Sequence, residues 1–382
     1  MEVSEYKYVI VGSGFLGSII AERITNVLGQ PVLVIEKRNH IGGNCYSEID
    51  VETGIEYHAY GTHIFHTSNE KVWGYINKFT SFNNYNHQVL TNVCGKIFQL
   101  PINLETINSY FNINLRPYEV DDFLKTKIGA DFVENPSNFE EKTINLVGRE
   151  LYNAFIKGYT EKQWCVNPKT LPTSLIKRLP FRKNYNESYY FSKYQGIPIN
   201  GYTAIFNKLL SSPLIDLRLN TDFFDLKPFL NDQALIVYSG SIDRYFDYRL
   251  GKLKWRTLHF EKEIHRVEDY QGTSVMNYPD SNIPYTRKHE PRHLHPERSY
   301  TINKTVVLTE YSLSDNGKNP YYPIPVEENM KLATSYRELV NESDNLIVAG
   351  RLGDYKYYDM HETIARALEI FENEIIYRKQ RP

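Results

Sequence analysis

Apolar residues are distributed along this chain in short bursts whose spacing changes from one stretch to the next. The first burst, residues 8–11 (Tyr-Val-Ile-Val), is followed by glycines, then by SIIAERITNVL, then by a second burst at residues 31–36 (Pro-Val-Leu-Val-Ile-Glu). That order predicts strand, Gly-rich turn, helix and strand, one complete βαβ unit. HQVLTNV and KIFQLPI flank Cys94-Gly95 as two strands around a short turn. Between residues 103 and 159 the period becomes helical in NLETINSYF, PYEVDDFLKTKI and SNFEEKTINLVGRELYNAFIKGY, broken by Pro, Gly and Asn. Residues 201–210 predict a helix, and ALIVYSG at 234–240 a buried strand. Residues 252–311 alternate like antiparallel strands, and LIVAG at 346–350 leads into a helix from about Met360 to residue 377. The stretch from 167 to 198, rich in Pro, Asn and Tyr, predicts no regular element.

Length, charge and cysteine content narrow the picture. At 382 residues the chain exceeds the roughly 250–300 that one core supports, so two or three domains with a cleft between them are expected. Lys and Arg total 44 against 46 Asp and Glu, a net charge of −2 that provides no field for nucleic acid or an anionic membrane surface. Any anionic ligand must be met by local charges. The cysteines Cys45, Cys94 and Cys165 form neither a disulfide framework nor a zinc spacing, which points to a reducing, cytoplasmic setting. The first residues lack the features of a secretory leader, and no run reaches the ~18 apolar residues of a membrane span. The 31 tyrosines are the compositional excess; a Tyr joins a flat apolar face to a hydroxyl suited to sugars and phosphates, although most are expected at core edges.

The glycines of the first turn, Gly12-Ser13-Gly14-Phe15-Leu16-Gly17, fit G-x-G-x-x-G, and their setting after a strand and before a helix makes the match meaningful. Gly12 permits the tight turn, Gly14 a close approach of the backbone to the ligand, and Gly17 the packing of helix on strand. The exposed N–H groups at the helix start suit a pyrophosphate, and Glu36, about 20 residues on, suits ribose hydroxyls. The continuation Lys37-Arg38-Asn39-His40-Ile41-Gly42-Gly43-Asn44 supplies a second Gly loop. This E-K-R-x-x-x-G-G arrangement resembles flavoproteins with two dinucleotide-binding units, favouring FAD over a nicotinamide cofactor. The matching C-terminal element is residues 349–353 with the helix near Met360, whose positive end suits the flavin ring edge. The expected fold class is therefore α/β with a Rossmann-like FAD-binding domain.

Other residues stay ambiguous on spacing alone. His63 and His66 alternate with apolar neighbours as core histidines do, and no Cys or acidic cluster beside them completes a metal shell, so no metal is expected. No G-x-S-x-G occurs. Arg178 and Arg287 are candidates for a diphosphate because a guanidinium can hold two oxygens at once; singly, such an Arg is more often a surface ion-pair residue. Phe155 and Tyr159 are equally consistent with a stacking floor for a base or sugar and with core.

Taken together, YGTHIFHT, FQLPINLETINSYF, FEEKTINLVGRELYNAFIKGYTEKQW, LIKRLPFR, DYQGTSVMNYPDSNIPYTR, NPYYPIP and GRLGDYKYYDM resemble the bacterial type of the UDP-galactopyranose mutase family over nearly the whole chain. The resemblance implies a homodimeric flavoprotein of three domains. They are a discontinuous FAD-binding domain (1–78, 197–240 and 340–382), a mainly helical insertion (79–165) and an antiparallel-sheet substrate domain (166–196 and 241–339). It implies interconversion of UDP-galactopyranose and UDP-galactofuranose for cell-surface polysaccharide, with N5 of reduced FAD attacking the anomeric carbon. It further implies that Arg178, Arg287 and His63 are catalytic, with the Arg178 loop closing over substrate. Tyr322 and Tyr357 would serve the diphosphate; Phe155, Tyr159 and Tyr189 the uridine; Trp164 the sugar; Thr160 would bind substrate, and Asn86, Asn277 and Asp359 would be its neighbours. Gly12, Gly14, Phe15, Gly17, Glu36, Lys37, Gly43, Asn44, His63, Arg351 and Met360 would hold FAD. Thr62 and Cys165 depart from the family's usual Pro and Gly. The alternatives are an FAD-dependent oxidoreductase of the amine-oxidase type and a non-catalytic nucleotide-sugar binder.

Overall fold

Five parallel strands form the sheet that the opening pattern starts, in the order Leu346–Val348, Leu235–Tyr238, Tyr8–Val11, Val32–Ile35, Ile215–Arg218. The structure is a computed structural model; it describes residues 1–315, 317 and 319–379, except for the side chains of Lys177, Arg178, Arg378 and Lys379. A parallel sheet is covered on both faces, and successive residues alternate between two cores. Ile10, Val34 and Val237 pack on one side with Ile19 and Ile20 of the helix Phe15–Arg23 and with Ile364 and Ala367 of the helix Met360–Ile370. Val9, Leu33 and Ile236 pack on the other with Tyr336, Phe223 and Trp255. The sheet thereby delivers the Gly-rich turn and the start of the C-terminal helix to the same end, where ligands bind in open α/β sheets.

The strand Ile215–Arg218 was not foreseen. All four of its residues are only half-buried, and Arg218 pairs with Asp216 two residues back, whose carboxylate also accepts from the Tyr6 hydroxyl. Its two apolar residues, Ile215 and Leu217, alternate with Asp216 and Arg218 and pack half-buried against the core, an alternation too short to stand out.

A seven-stranded sheet follows the order Tyr322–Pro323, Trp255–His265, Thr305–Ser314, Arg287–His289, Val275–Asn277, Val89–Val93, Lys96–Leu100. It is antiparallel except where Val275–Asn277 meets Val89–Val93. The last two strands are the expected hairpin, and Cys94 and Gly95 both adopt positive φ, 49° and 84°, as a two-residue hairpin turn requires. That hairpin lies within the segment read as mainly helical, yet its strands extend the sheet. Helices Leu104–Phe111, Val120–Ile128 and Phe139–Leu151 follow it, and the core they share includes Leu124, Ile144, Val147 and Leu151.

Candidate active site

The Gly-rich turn has the geometry its sequence promised. Gly12 sits at φ +100°, and a Cβ on Gly17 would lie 2.0 Å from the Gly12 carbonyl oxygen. Gly17 is therefore a packing residue, and it is absent from the wall of the cavity that the turn opens. That cavity, of about 810 Å³, is lined by Gly12, Gly14, Phe15, Glu36, Lys37, Gly43, Asn44, His63, Arg351 and Met360. Glu36 is buried; one of its carboxylate oxygens accepts from the Ser13 amide and hydroxyl at 2.9 Å, the other from the Arg38 amide at 2.9 Å. Three bonds leave about one of the four lone-pair positions for a ribose hydroxyl.

Arg38 was quoted in the sequence but not assigned a role. It lines this cavity, donates to Asn44 at 2.9 Å and lies 4.4 Å from the centre of the Tyr60 ring. Its Nη1 is buried with no partner among the described residues. A buried donor without an acceptor is costly in the protein alone and fits a ligand oxygen. The wall also carries Phe224, Tyr238 and the Arg244–Asp222 ion pair at 2.7 Å.

A second cavity, of about 690 Å³, shares His63, Arg351 and Met360 with the first. Its wall includes Phe155, Tyr159, Thr160, Trp164, Tyr189, Asn277, Arg287, Tyr322, Tyr357 and Asp359. The ambiguity over Phe155 and Tyr159 resolves in two ways. Phe155 is both core and wall, 4% exposed and edge-on to Phe98 and Tyr110. Tyr159 lines the cavity, its hydroxyl accepting from Arg287. Tyr322 and Tyr357 stack with ring centres 5.2 Å apart and planes at 9°, and the Arg351 guanidinium lies 5.3 and 4.9 Å from those centres. Asn277 pairs with Arg287 across the strands, and its buried Oδ1 has no partner among the described residues.

Two expected residues stand apart. Asn86 is not on the cavity wall: it is exposed, and its side-chain oxygen accepts from Ser188 at 2.8 Å and from Gln195 at 2.6 Å. Those bonds serve the segment leading to Tyr189 instead. The backbone of Arg178 closes the turn Thr173–Arg178, and its neighbours Leu175 and Leu179 line the cavity, but its side chain lies outside the described residues.

Electrostatically the second cavity rests on a buried carboxylate that the sequence did not reveal. Glu310, 3% exposed, faces Arg287 at 3.7 Å and accepts from the His289 ring at 3.1 Å and the Thr286 hydroxyl at 2.8 Å. The other ring nitrogen of His289 meets the Thr62 hydroxyl at 2.8 Å. Thr62 therefore contributes a hydrogen bond that a proline there would lack. Burial opposes the Glu310 charge, but Arg287 and His289 win and hold its pKa down at about 2. Cys165 likewise replaces a glycine at a real constraint, a left-handed turn at φ 52° ending the helix Gly158–Trp164. The buried Arg256 guanidinium fastens that helix end by donating to the Gln163 carbonyl at 3.0 Å.

Burial holds His63, His66 and His87 neutral. Burial, helped by the charge of Arg351, lowers His63 to about 4; burial also takes His66 to about 4 and His87 to about 3. His63 Nδ1 lies 2.6 Å from the Gly61 carbonyl, a contact that makes Nδ1 the donor and leaves Nε2 an acceptor. His66 meets Asp359 and His361, far away in sequence, with ligand atoms within 4.8 Å of one another. Asp359 caps the N-terminus of Met360–Ile370, whose positive end opposes a cation there.

These depressed values set a pH dependence. The unfolded histidines titrate near 6.5, so folding favours the neutral ring, and stability is full above that pH and drains away as pH falls toward 4. His87 alone should cost about 2 kcal/mol at pH 5. Guanidinium unfolding at pH 7.5 and pH 5.0 checks this, with a markedly lower midpoint expected at pH 5.0.

The sequence model of UDP-galactopyranose mutase matches residues 154–357, and that of an NAD(P)-binding Rossmann-like domain matches residues 10–79. The chain is 42% identical over 363 residues to the Klebsiella pneumoniae protein named "Probable UDP-galactopyranose mutase", spanning 94% of this chain and 92% of that one. The chain belongs to the UDP-galactopyranose mutase family. A dTDP-fucopyranose mutase of Escherichia coli is 40% identical over 368 residues, covering 95% of this chain and 97% of that protein. The fold is also that of reduced UDP-galactopyranose mutase in its crystal structure, with a TM-score of 0.75 at 15% identity over 97% of this chain and 96% of that one. The Rossmann-like match over residues 10–79 contains the Gly-rich turn on the wall of the first cavity, and the second cavity shares part of that wall. Among the described residues no helix is long and apolar enough to cross a membrane.

Proposed function

We propose that this mutase interconverts UDP-galactopyranose and UDP-galactofuranose, using FAD in its reduced form, with FAD in the first cavity and the nucleotide sugar in the second. The observation that carries the reading is the shared wall of His63, Arg351 and Met360, which puts a dinucleotide site and a cation-bearing, tyrosine-rich cavity in direct contact. Reduced FAD, when bound, supplies nucleophilic chemistry at the sugar's anomeric carbon.

The protein's own part is to hold and to neutralise. The helix start after Gly14 would receive the pyrophosphate, with Glu36, Lys37, Arg38, Gly43 and Asn44 around the rest of the cofactor. Arg287 would meet the substrate's diphosphate as negative charge builds on the departing UDP. Glu310 beneath it and Tyr159 beside it fix the guanidinium in place. The Tyr322 and Tyr357 hydroxyls would donate to the same phosphates, and Arg178 would complete the cover over them. Phe155, Thr160, Trp164 and Tyr189 would form the walls around uridine and sugar, and the free Asn277 Oδ1 would accept from a ligand hydroxyl or N–H. His63, kept neutral, would offer Nε2 as an acceptor at the boundary without adding a charge that competes with Arg351. Asp359 would border the sugar. The three free cysteines support a reducing, cytoplasmic setting, and the family resemblance supports a homodimer.

The two relatives named above act, by their names, on nucleotide sugars that differ in the base, in the ribose 2′-hydroxyl and in the sugar's 6-hydroxyl. Reduced, flavin-loaded protein assayed with UDP-galactofuranose and with dTDP-fucofuranose decides between them. A higher kcat/KM for the UDP sugar is expected; preference for the dTDP sugar would overturn the substrate assignment and leave the isomerisation standing.

A further inference from the structure

The helix Gly158–Trp164 has two functional sides. Tyr159, Thr160, Gln163 and Trp164 line the second cavity. Gly158 and Lys162, four residues apart and so on one face, meet the loop that joins strand Val275–Asn277 to strand Arg287–His289. A Cβ on Gly158 would lie 2.2 Å from the Pro279 carbonyl oxygen, so helix and loop are in backbone contact. Lys162 Nζ donates to the Tyr278 carbonyl and to those of Asp280 at 2.9 Å, Ile283 at 3.0 Å and Tyr285 at 3.0 Å.

Four main-chain oxygens converge on one ammonium that has only three N–H bonds to give. This is coordination of a cation by a carbonyl cage, the arrangement that elsewhere replaces the hydration shell of potassium. The loop is otherwise closed by Tyr278 N donating to Thr286 O at 2.9 Å, and the Asp280 carboxylate accepts from the Cys94 amide at 2.8 Å. Thr286 in turn bonds Glu310, the partner of Arg287. The loop thus bears directly on Asn277, Arg287 and the carboxylate beneath them.

We propose that residues 278–285 form a monovalent-cation site filled from within by the ammonium of Lys162, and that this internal cation holds Arg287 and Asn277 in register for the nucleotide sugar. Lys162 is then a positioning residue, acting through the loop. Without a cation the carbonyls of Tyr278, Ile283 and Tyr285 would face one another short of a donor, the Asp280 carbonyl keeping only the Ile283 amide at 3.2 Å, and the loop would open to reach water. The effect on the ligand rests on the reading that Arg287 meets the diphosphate; the cage itself does not.

The test is Lys162→Ala, loaded with flavin and compared in NaCl, KCl and methylammonium chloride, with UDP affinity and melting temperature as readouts. In NaCl, UDP binding should weaken by roughly tenfold. Potassium or methylammonium should restore most of it and raise the variant's melting temperature, while leaving the wild type unmoved. Lys162→Met, whose side chain fills the cage without a charge, should respond to neither ion. Undiminished UDP binding by Lys162→Ala in NaCl, or a loss that no monovalent cation restores, would overturn the proposal, as would equal recovery in sodium. Should Lys162→Ala not fold in sodium, purification in potassium against sodium reads the same dependence. A wild type that binds no UDP would refute the role given to Arg287, while the cation-selective melting shift would still decide the cage.

Discussion

Arg287→Ala is expected to lower kcat/KM for the nucleotide sugar by about 10³-fold while the protein stays fully loaded with flavin. The direction follows from position. Arg287 lines the second cavity and is absent from the wall of the first, so its loss should leave cofactor contacts untouched. The size follows from two effects acting together. A charge-assisted donor to the departing diphosphate disappears, and Glu310, 3% exposed, loses the cation that helps keep it ionised. Leaving a buried carboxylate without one of its partners costs about 1–3 kcal/mol. Part of that cost will appear as lower stability, so the melting temperature should fall too. Arg287→Lys should recover little, because a point charge does not reproduce the planar fork. Steady-state kinetics of the reduced variant beside its ratio of 450 nm to 280 nm absorbance checks both halves. Loss of the yellow colour would move Arg287 to the wrong cavity.

The converse is expected of Gly17→Ala. The added methyl would sit 2.0 Å from the Gly12 carbonyl oxygen and 3.0 Å from an Ile10 methyl. The nearer atom is backbone, so the clash cannot be relieved by a rotamer change, and the turn that presents N–H groups to a pyrophosphate must move. The purified variant should be essentially colourless, with flavin affinity down by at least about 100-fold. Equilibrium dialysis against FAD measures this, and near-normal retention of flavin would mean that the turn tolerates displacement. Together the two substitutions separate the cavities, one emptying the first and the other disabling the second.

What the sequence disclosed and what it hid follow the range of the interactions. The βαβ unit is legible because its determinants are local: apolar strands buried on both faces, three glycines at fixed spacing, and Glu36 at the end of the next strand. The hairpin around Cys94-Gly95 is legible for the same reason. Glu310 is not, because its meaning arises only when the strand Thr305–Ser314 sets it directly opposite Arg287. Nothing in Thr309-Glu310-Tyr311 distinguishes a carboxylate destined for burial under a guanidinium from a surface one. His66, Asp359 and His361 converge across nearly 300 residues of chain for a similar reason. Most of the candidate residues on the wall of the second cavity were available from family resemblance alone, since spacing left Phe155 and Tyr159 undecided. Asn86 shows the limit of that route, because its side chain is spent on Ser188 and Gln195.

Isomerisation without net redox, in a cleft shared by flavin and nucleotide sugar, is the centre of this account. One anaerobic experiment tests it most directly: flavin-loaded protein, reduced stoichiometrically with dithionite, is mixed with UDP-galactofuranose while the absorbance at 450 nm and the products are followed together. Many turnovers to UDP-galactopyranose are expected, with the flavin still bleached at the end, and none from the oxidised protein. Return of the 450 nm band as substrate is consumed, or equal conversion by oxidised protein, would contradict it.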